Sequence, residues 1–325
     1  MSTFPDARSV TVSSAPAAEE IALAVYEQGE GPAVVFSHGF PELAYSWRYQ
    51  LPAVADAGFR AIAPDQRGYG GSTRPEAISA YALRNLCGDL AGLLDALDIE
   101  KAIFVGHDWG GMVAWGMPVL YPERTLGVVG ICTPYTSMSG GLDSLRALVE
   151  GDDDRHYILW FQTPGVAEGV MDPNVRLLFE AMLRGGISPE EAAPRMLRDG
   201  KFDMNPFRRL DEFEPMGDPF ASAEEVDYYV AAFEKTGFGG GINWYRNIET
   251  NGAEVPEMGQ RKLDLPCLML TAEWDGALPP AAAAGMPALC SDLEMHMIEK
   301  AGHWVQQEAA EAVNGHLVDW LGRRF

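Results

Sequence analysis

The strongest chemical signal in this 325-residue sequence is GHDWGG at 106–111, placed where the apolar run AIFVG ends and a helix-like MVAW begins. In a strand-turn-helix of this kind the central side chain is thrust out at the carboxyl edge of a sheet, and the strained backbone admits only small neighbours around it. Gly106, Gly110 and Gly111 meet that demand around Asp108, which makes Asp108 the candidate nucleophile. A carboxylate with a pKa of about 4 is already anionic at neutral pH, whereas a serine in the same place must lose a proton as it attacks. Asp108 therefore suits displacement of a leaving group from an sp³ carbon, and the ester so formed needs an activated water to release it. That calls for a base. Among six histidines His303, in EKAGHWVQQE, is the best placed, because it follows the last strand-like run and a glycine at the start of the final helix. His38, His107, His156, His296 and His316 lack that setting.

The elements that must hold these groups are legible as patterns. AVVFS at 33–37, FRAIAP at 59–64, AIFVG at 102–106 and LGVVGIC at 126–132 are short, nearly continuous apolar runs, as expected of strands buried on both faces. YALRNLCGDLAGLLDALD at 81–98 and GGMVAWGMPVLYP at 110–122 have helical length and spacing, so the segment reads as βαβ units in a mostly parallel sheet. From about Ser137 to Asn251 there is no strand signal, only helix-like blocks punctuated by glycine and proline; strand patterns return at PCLMLTA, 266–272, and EMHMIE, 294–299, before a final helix from about Gln306 to Leu321. The expected organisation is a first core part at 1–136, a helical insertion at 137–255 and a second core part at 256–325. HGFP at 38–41 follows the first of these strands, and on such a fold the amides of Phe40 and Trp109 can face the oxyanion that forms when water attacks an ester on Asp108.

Composition narrows the function. With 24 basic against 47 acidic residues the formal net charge is −23 and the pI about 4.5, a field that repels phosphate backbones and anionic lipid. Cys87, Cys132, Cys267 and Cys290 are far apart with no CxxC pair, which fits a reducing compartment. The amino terminus has neither a basic n-region nor an apolar core, and no stretch approaches the roughly 18 apolar residues of a span. The expectation is a cytoplasmic enzyme, monomeric or homodimeric, that binds a small molecule and no nucleic acid or membrane. Asp152–Asp154 reads as a solvated turn, since no His or Cys cluster accompanies it, and RGYGGS at 67–72 lacks the spacing of a dinucleotide fingerprint. No metal or cofactor is expected. GFGGG at 237–241 reads as a loop, with a lid hinge as the alternative.

Together, HGFP, DQRGYGGS at 65–72, GHDWGG, AEWD at 272–275 and GHW at 302–304 resemble the α/β-hydrolase-fold epoxide hydrolases and their relatives the haloalkane dehalogenases. The likeness runs from about Ile21 to Leu321. It implies an α/β-hydrolase core with an inserted helical cap, and the chain order nucleophile, acid, histidine places an acid between 108 and 303 after a strand. Asp275 fits, with Glu273 its rival two residues away; its role would be to fix the tautomer of His303 and stabilise the imidazolium. What separates the two relatives is the insertion. HYILWFQTPGVAE at 156–168 and INWYRNIE at 242–249 resemble the two epoxide-hydrolase cap segments that carry tyrosines, which implies Tyr157 and Tyr245 here. Ile158 departs from the glutamine that mammalian members often carry there.

The chemistry itself asks for such a pair. Opening an epoxide releases a strongly basic alkoxide, and two phenols with a pKa of about 10 can hydrogen-bond the ring oxygen and deliver a proton as the bond breaks. Tyr228 and Tyr229 are rival donors in a helix-like stretch that lacks the matching context, and Trp109 and Trp160 are placed to line an apolar pocket. The expected substrate is a small apolar epoxide, the product a vicinal diol. Two alternatives remain at this stage: a haloalkane or haloacid dehalogenase using the same Asp108, His303 and Asp275, and a non-catalytic ligand receptor on the same fold.

Overall fold

The computed structural model describes residues 4–14, 19–212 and 214–325. Its strands are β1 (Arg8–Ser14), β2 (Glu19–Gln28), β3 (Ala33–Ser37), β4 (Arg60–Pro64), β5 (Ala102–His107), β6 (Thr125–Ile131), β7 (Leu197–Arg198), β8 (Lys201–Phe202), β9 (Leu263–Ala272) and β10 (Cys290–Ile298). Eight of them form one sheet in the order β1-β2-β4-β3-β5-β6-β9-β10. β1, β2 and β4 pair antiparallel and all later neighbours pair parallel. The helices are α1 (Gln50–Asp56), α2 (Leu83–Ala96), α3 (Trp109–Leu120), α4 (Asp143–Leu148), α5 (Tyr157–Trp160), α6 (Val166–Met171), α7 (Val175–Met182), α8 (Pro189–Ala192), α9 (Ala223–Thr236), α10 (Gly239–Arg246), α11 (Ile248–Glu254), α12 (Val305–Glu308) and α13 (Ala310–Arg324).

Every residue of β3 and β5 is buried, as their unbroken apolar runs require of central strands in a sheet covered on both sides. Alternate side chains serve opposite faces. Val35, Phe104 and Val128 join one core with α2 and α3, while Val34, Phe36, Ile103 and Val105 join another with α1 and α13. On α2, Leu83, Leu86, Leu90, Leu93 and Leu94 recur at helical spacing and are all buried, each contributing about 1.5–3 kcal/mol. Among the described residues no helix is long and apolar enough to cross a membrane.

Several expectations need correction. The amino-terminal strands β1 and β2 are antiparallel additions outside the βαβ pattern. The insertion contains a strand pair, β7–β8, too short at two residues each to leave a periodicity. GFGGG is not a loop: Gly239, Gly240 and Gly241 open α10, where a Cβ on Gly240 would meet the Gly68 backbone and one on Gly241 would meet Tyr69 and Phe40. The final helix is two helices, interrupted at Ala309, whose backbone is non-helical.

Candidate active site

The functional side chains gather at the carboxyl edge of the sheet, around β3 and β5, where successive crossovers leave in opposite directions and a crevice opens. Asp108 sits between β5 and α3 with φ 52° and ψ −126°, a conformation that costs a non-glycine residue on the order of 1–3 kcal/mol. Its surroundings hold it there. Its carbonyl accepts from Gly111 N–H at 2.9 Å and from Thr133 Oγ1 at 2.7 Å, and a Cβ on Gly110 would land on the Ser37 carbonyl, so only glycine lets the turn close against β3.

Asp108 Oδ1 accepts from the Phe40 amide at 2.8 Å, and Oδ2 lies 3.5 Å from His303 Nε2. His303 Nδ1 is 2.9 Å from Asp275 Oδ2, and Asp275 Oδ1 accepts from the amides of Ala277 and Leu278, each at 2.8 Å. Glu273 is exposed and accepts from Lys300 N–H instead, so it does not reach the histidine. Burial opposes ionisation of Asp275, but the charge and hydrogen bond of His303, together with the Leu278 amide, hold its carboxyl below the usual range. Burial likewise opposes a charged His303. The flanking Asp275 and Asp108 carboxylates outweigh it and raise His303 well above an ordinary imidazole.

Tyr157, at the start of α5, and Tyr245, on α10, line the same cavity of about 760 Å³ as Asp108, Phe40 and His303. Their rings meet edge to face with centroids 5.8 Å apart, and Tyr245 also packs edge-on against Phe40 and Trp109. Both phenols are pushed up, first by burial and then by the Asp108 carboxylate, so they stay protonated. Tyr229 donates or accepts at Ser46 Oγ, 2.8 Å away, and Tyr228 stacks on Tyr45 with centroids 3.9 Å apart; neither borders the cavity. The tryptophans of the wall are Trp274 and Trp304, not Trp109 and Trp160, which are buried in the packing behind Tyr245 and Phe161. Ile158 packs into a small cluster with Leu142 and Leu159 rather than bordering the cavity.

Two groups at this site escaped the sequence reading. Glu42 and His107 are fully buried: Glu42 Oε2 lies 2.8 Å from His107 Nδ1 and accepts from Gly39 N–H at 2.8 Å, while His107 Nε2 donates to the His303 carbonyl at 2.7 Å. One carboxylate thus ties the loop bearing Phe40 to the loop bearing His303. Burial raises its affinity for a proton, but His107 and the Gly39 amide prevail and bring Glu42 down to about 2. Ligand atoms of His107, Cys132 and His303 come within 4.8 Å of one another, yet both nitrogens of each imidazole already face protein partners.

Fold and elbow together define an α/β hydrolase, and the α/β hydrolase fold family model matches residues 32–310. The chain is 39% identical over 311 residues to epoxide hydrolase A of Mycobacterium tuberculosis, covering 93% of this chain and 94% of that protein. It is 37% identical to bifunctional epoxide hydrolase 2 of Sus scrofa, of which it spans 52%. The crystal structure of epoxide hydrolase A from Mycobacterium thermoresistibile superposes with a TM-score of 0.86 at 42% identity, covering 98% of both chains. This chain belongs to the epoxide hydrolase family.

Proposed function

We propose that this epoxide hydrolase opens its substrate through a covalent ester on Asp108, and the observation that carries the reading is the Phe40–Asp108–His303–Asp275 line of contacts beneath two protonated phenols. An Asp108 oxygen attacks a ring carbon; the C–O ester bond forms as the ring C–O bond breaks, and a phenol of Tyr157 or Tyr245 passes its proton to the departing oxygen. Before attack, the two carboxylates keep His303 protonated. Esterification removes the charge of Asp108, so the support for the imidazolium weakens, and His303 gives its proton to the phenolate left by ring opening, which restores the phenol and frees the imidazole to act as a base. It takes a proton from water, the oxygen adds to the ester carbonyl, and the Phe40 and Trp109 amides face the oxyanion. Collapse returns the proton of His303 to the leaving alkoxide. The acid proton left on Asp108 passes to His303, which restores the starting imidazolium and carboxylate, and the sum is epoxide plus water to vicinal diol.

An apolar substrate body fits the Met182, Ile187 and Phe207 side chains that border the cavity. We assign 137–255 as the cap domain, since α5 and α10 bring its tyrosines to the site. A cytoplasmic location is supported by four cysteines that are all free and buried. Single turnover in heavy-oxygen water tests the covalent route: label is expected in Asp108 before it appears in diol, and a diol labelled in the first turnover would reject the ester.

A further inference from the structure

Gln162 is a polar side chain behind the cavity wall, bonded to the backbone of both tyrosine segments, to which the mechanism assigns no step. It lies just beyond α5, and its Nε2 donates both to the Ile158 carbonyl at 2.8 Å and to the Tyr245 carbonyl at 3.2 Å. The first acceptor is the residue next to one phenol. The second is the residue that bears the other, 83 positions along the chain. A side-chain amide offers two donors in a fixed plane, so one group sets the separation of two backbones that share no strand or helix. We propose that Gln162 is a positioning residue that holds Tyr157 and Tyr245 in register above Asp108, so that both phenols meet one oxygen. This rests on the proposed role of the two tyrosines.

Docking of the two segments is secured elsewhere, which is why Gln162 stands out. Arg246 donates from Nε to the Phe161 carbonyl at 2.8 Å, from Nη2 to the Thr163 carbonyl at 3.2 Å, and pairs with Glu168 at 2.7 Å. The start of α5 is held separately: His156 is its N-cap, with Nδ1 accepting from Ile158 N–H at 3.3 Å. Removing the Gln162 amide leaves these ties in place and releases the side-chain bond to the carbonyl of Tyr245 itself. Proton donation in a transition state is sensitive to such placement, a displacement of about 1 Å being able to cost on the order of a hundredfold.

Gln162→Met keeps the bulk and removes both donors. Rapid-quench measurement of ester formation and ester hydrolysis, on two epoxides of matched shape whose alkoxides differ in basicity, separates positioning from general damage. Ester formation is expected to slow about tenfold or more, most for the more basic alkoxide, with hydrolysis unchanged. Equal slowing of both steps, a loss indifferent to alkoxide basicity, or unchanged ester formation would each overturn the proposal. Should Gln162→Met fail to fold, Gln162→Asn, which keeps the amide without its reach, is judged by the same outcomes. Tyr157→Phe and Tyr245→Phe run alongside: if they leave ester formation intact, the assigned role of the tyrosines falls, whereas if they slow it and the Gln162 variants do not, only the clamp falls.

Discussion

His303 sits between two carboxylates, and on the proposed mechanism its usefulness depends on losing the influence of one of them. Asp108→Asn imitates that loss without chemistry. The imidazole of His303, followed by NMR titration, is expected to titrate lower in the variant than in the parent, because Asp275 alone then supports its charge. An unchanged titration would show that Asp108 does not govern the base. The same shift has a signature in stability. A histidine raised above its unfolded value stabilises the fold fully below about pH 6.5 and loses that contribution as pH rises through the folded value. Glu42 acts in the opposite sense, its contribution being present above the unfolded carboxyl value and lost as pH falls toward about 2. Glu42→Gln is expected to cost about 1–3 kcal/mol at pH 7, with the difference from the parent shrinking as pH drops below about 4, in denaturant titrations. A constant difference across that range would assign the cost to packing instead. Asp108 and His303 were legible because each is flagged by its own neighbours, glycines at an elbow and a glycine after a strand. Glu42 and His107 were not: their partners lie 65 and 196 positions away, and a buried polar network leaves no local pattern.

At the scale of elements, the parallel strands β3, β4, β5, β6 and β9 were foreseeable, since strands covered on both faces must be continuously apolar, whereas the edge strand β10 is largely half-buried or exposed and showed only as the short run EMHMIE. β7 and β8 were invisible because two residues carry no period. The glycines that open α10 argued for a loop by propensity, and close packing against Gly68, Tyr69 and Phe40 overrode it. That choice bears on function, because α10 carries Tyr245 and α5 carries Tyr157 from separate stretches of the cap. Two donors on two helices predict partial redundancy. Tyr157→Phe and Tyr245→Phe are each expected to slow ester formation by about 10–100-fold, the worth of one hydrogen bond to a charged oxygen, and the double variant by more than either. Pre-steady-state kinetics decides it: full loss in one single variant and none in the other would leave a lone acid.

Across the whole molecule the insertion was readable as a break in the alternation of strand and helix, but the polar seam joining it to the core was not. Arg48, from the core, meets Glu225 of α9 at 2.5 Å and donates to Gln307 Oε1 at 2.7 Å. Gln307 also takes the hydroxyl of Tyr229, and its amide donates to Glu42 at 3.3 Å. The cap is therefore bonded through one glutamine to the carboxylate that joins the Phe40 and His303 loops. Sequence showed these residues only as scattered polar positions, because the seam joins surfaces that fold from distant segments, Arg48 and Glu225 being 177 positions apart and Tyr229 and Gln307 78. Removing one partner from a largely buried ion pair leaves the other uncompensated, at a cost of about 3–5 kcal/mol, with the lower figure favoured here because the Glu225 side chain keeps 16% of its exposure. Arg48→Met should accordingly lower the denaturation midpoint and speed amide exchange in α9, while β5 and β9, buried on both faces, keep their protection. It should also weaken substrate binding more than it slows ester hydrolysis, since the cap loosens while Asp275 keeps its hold on His303. Unaltered exchange in α9 would mean that the apolar contact alone seats the cap, and equal deprotection of β5 would mean that cap and core unfold as one unit.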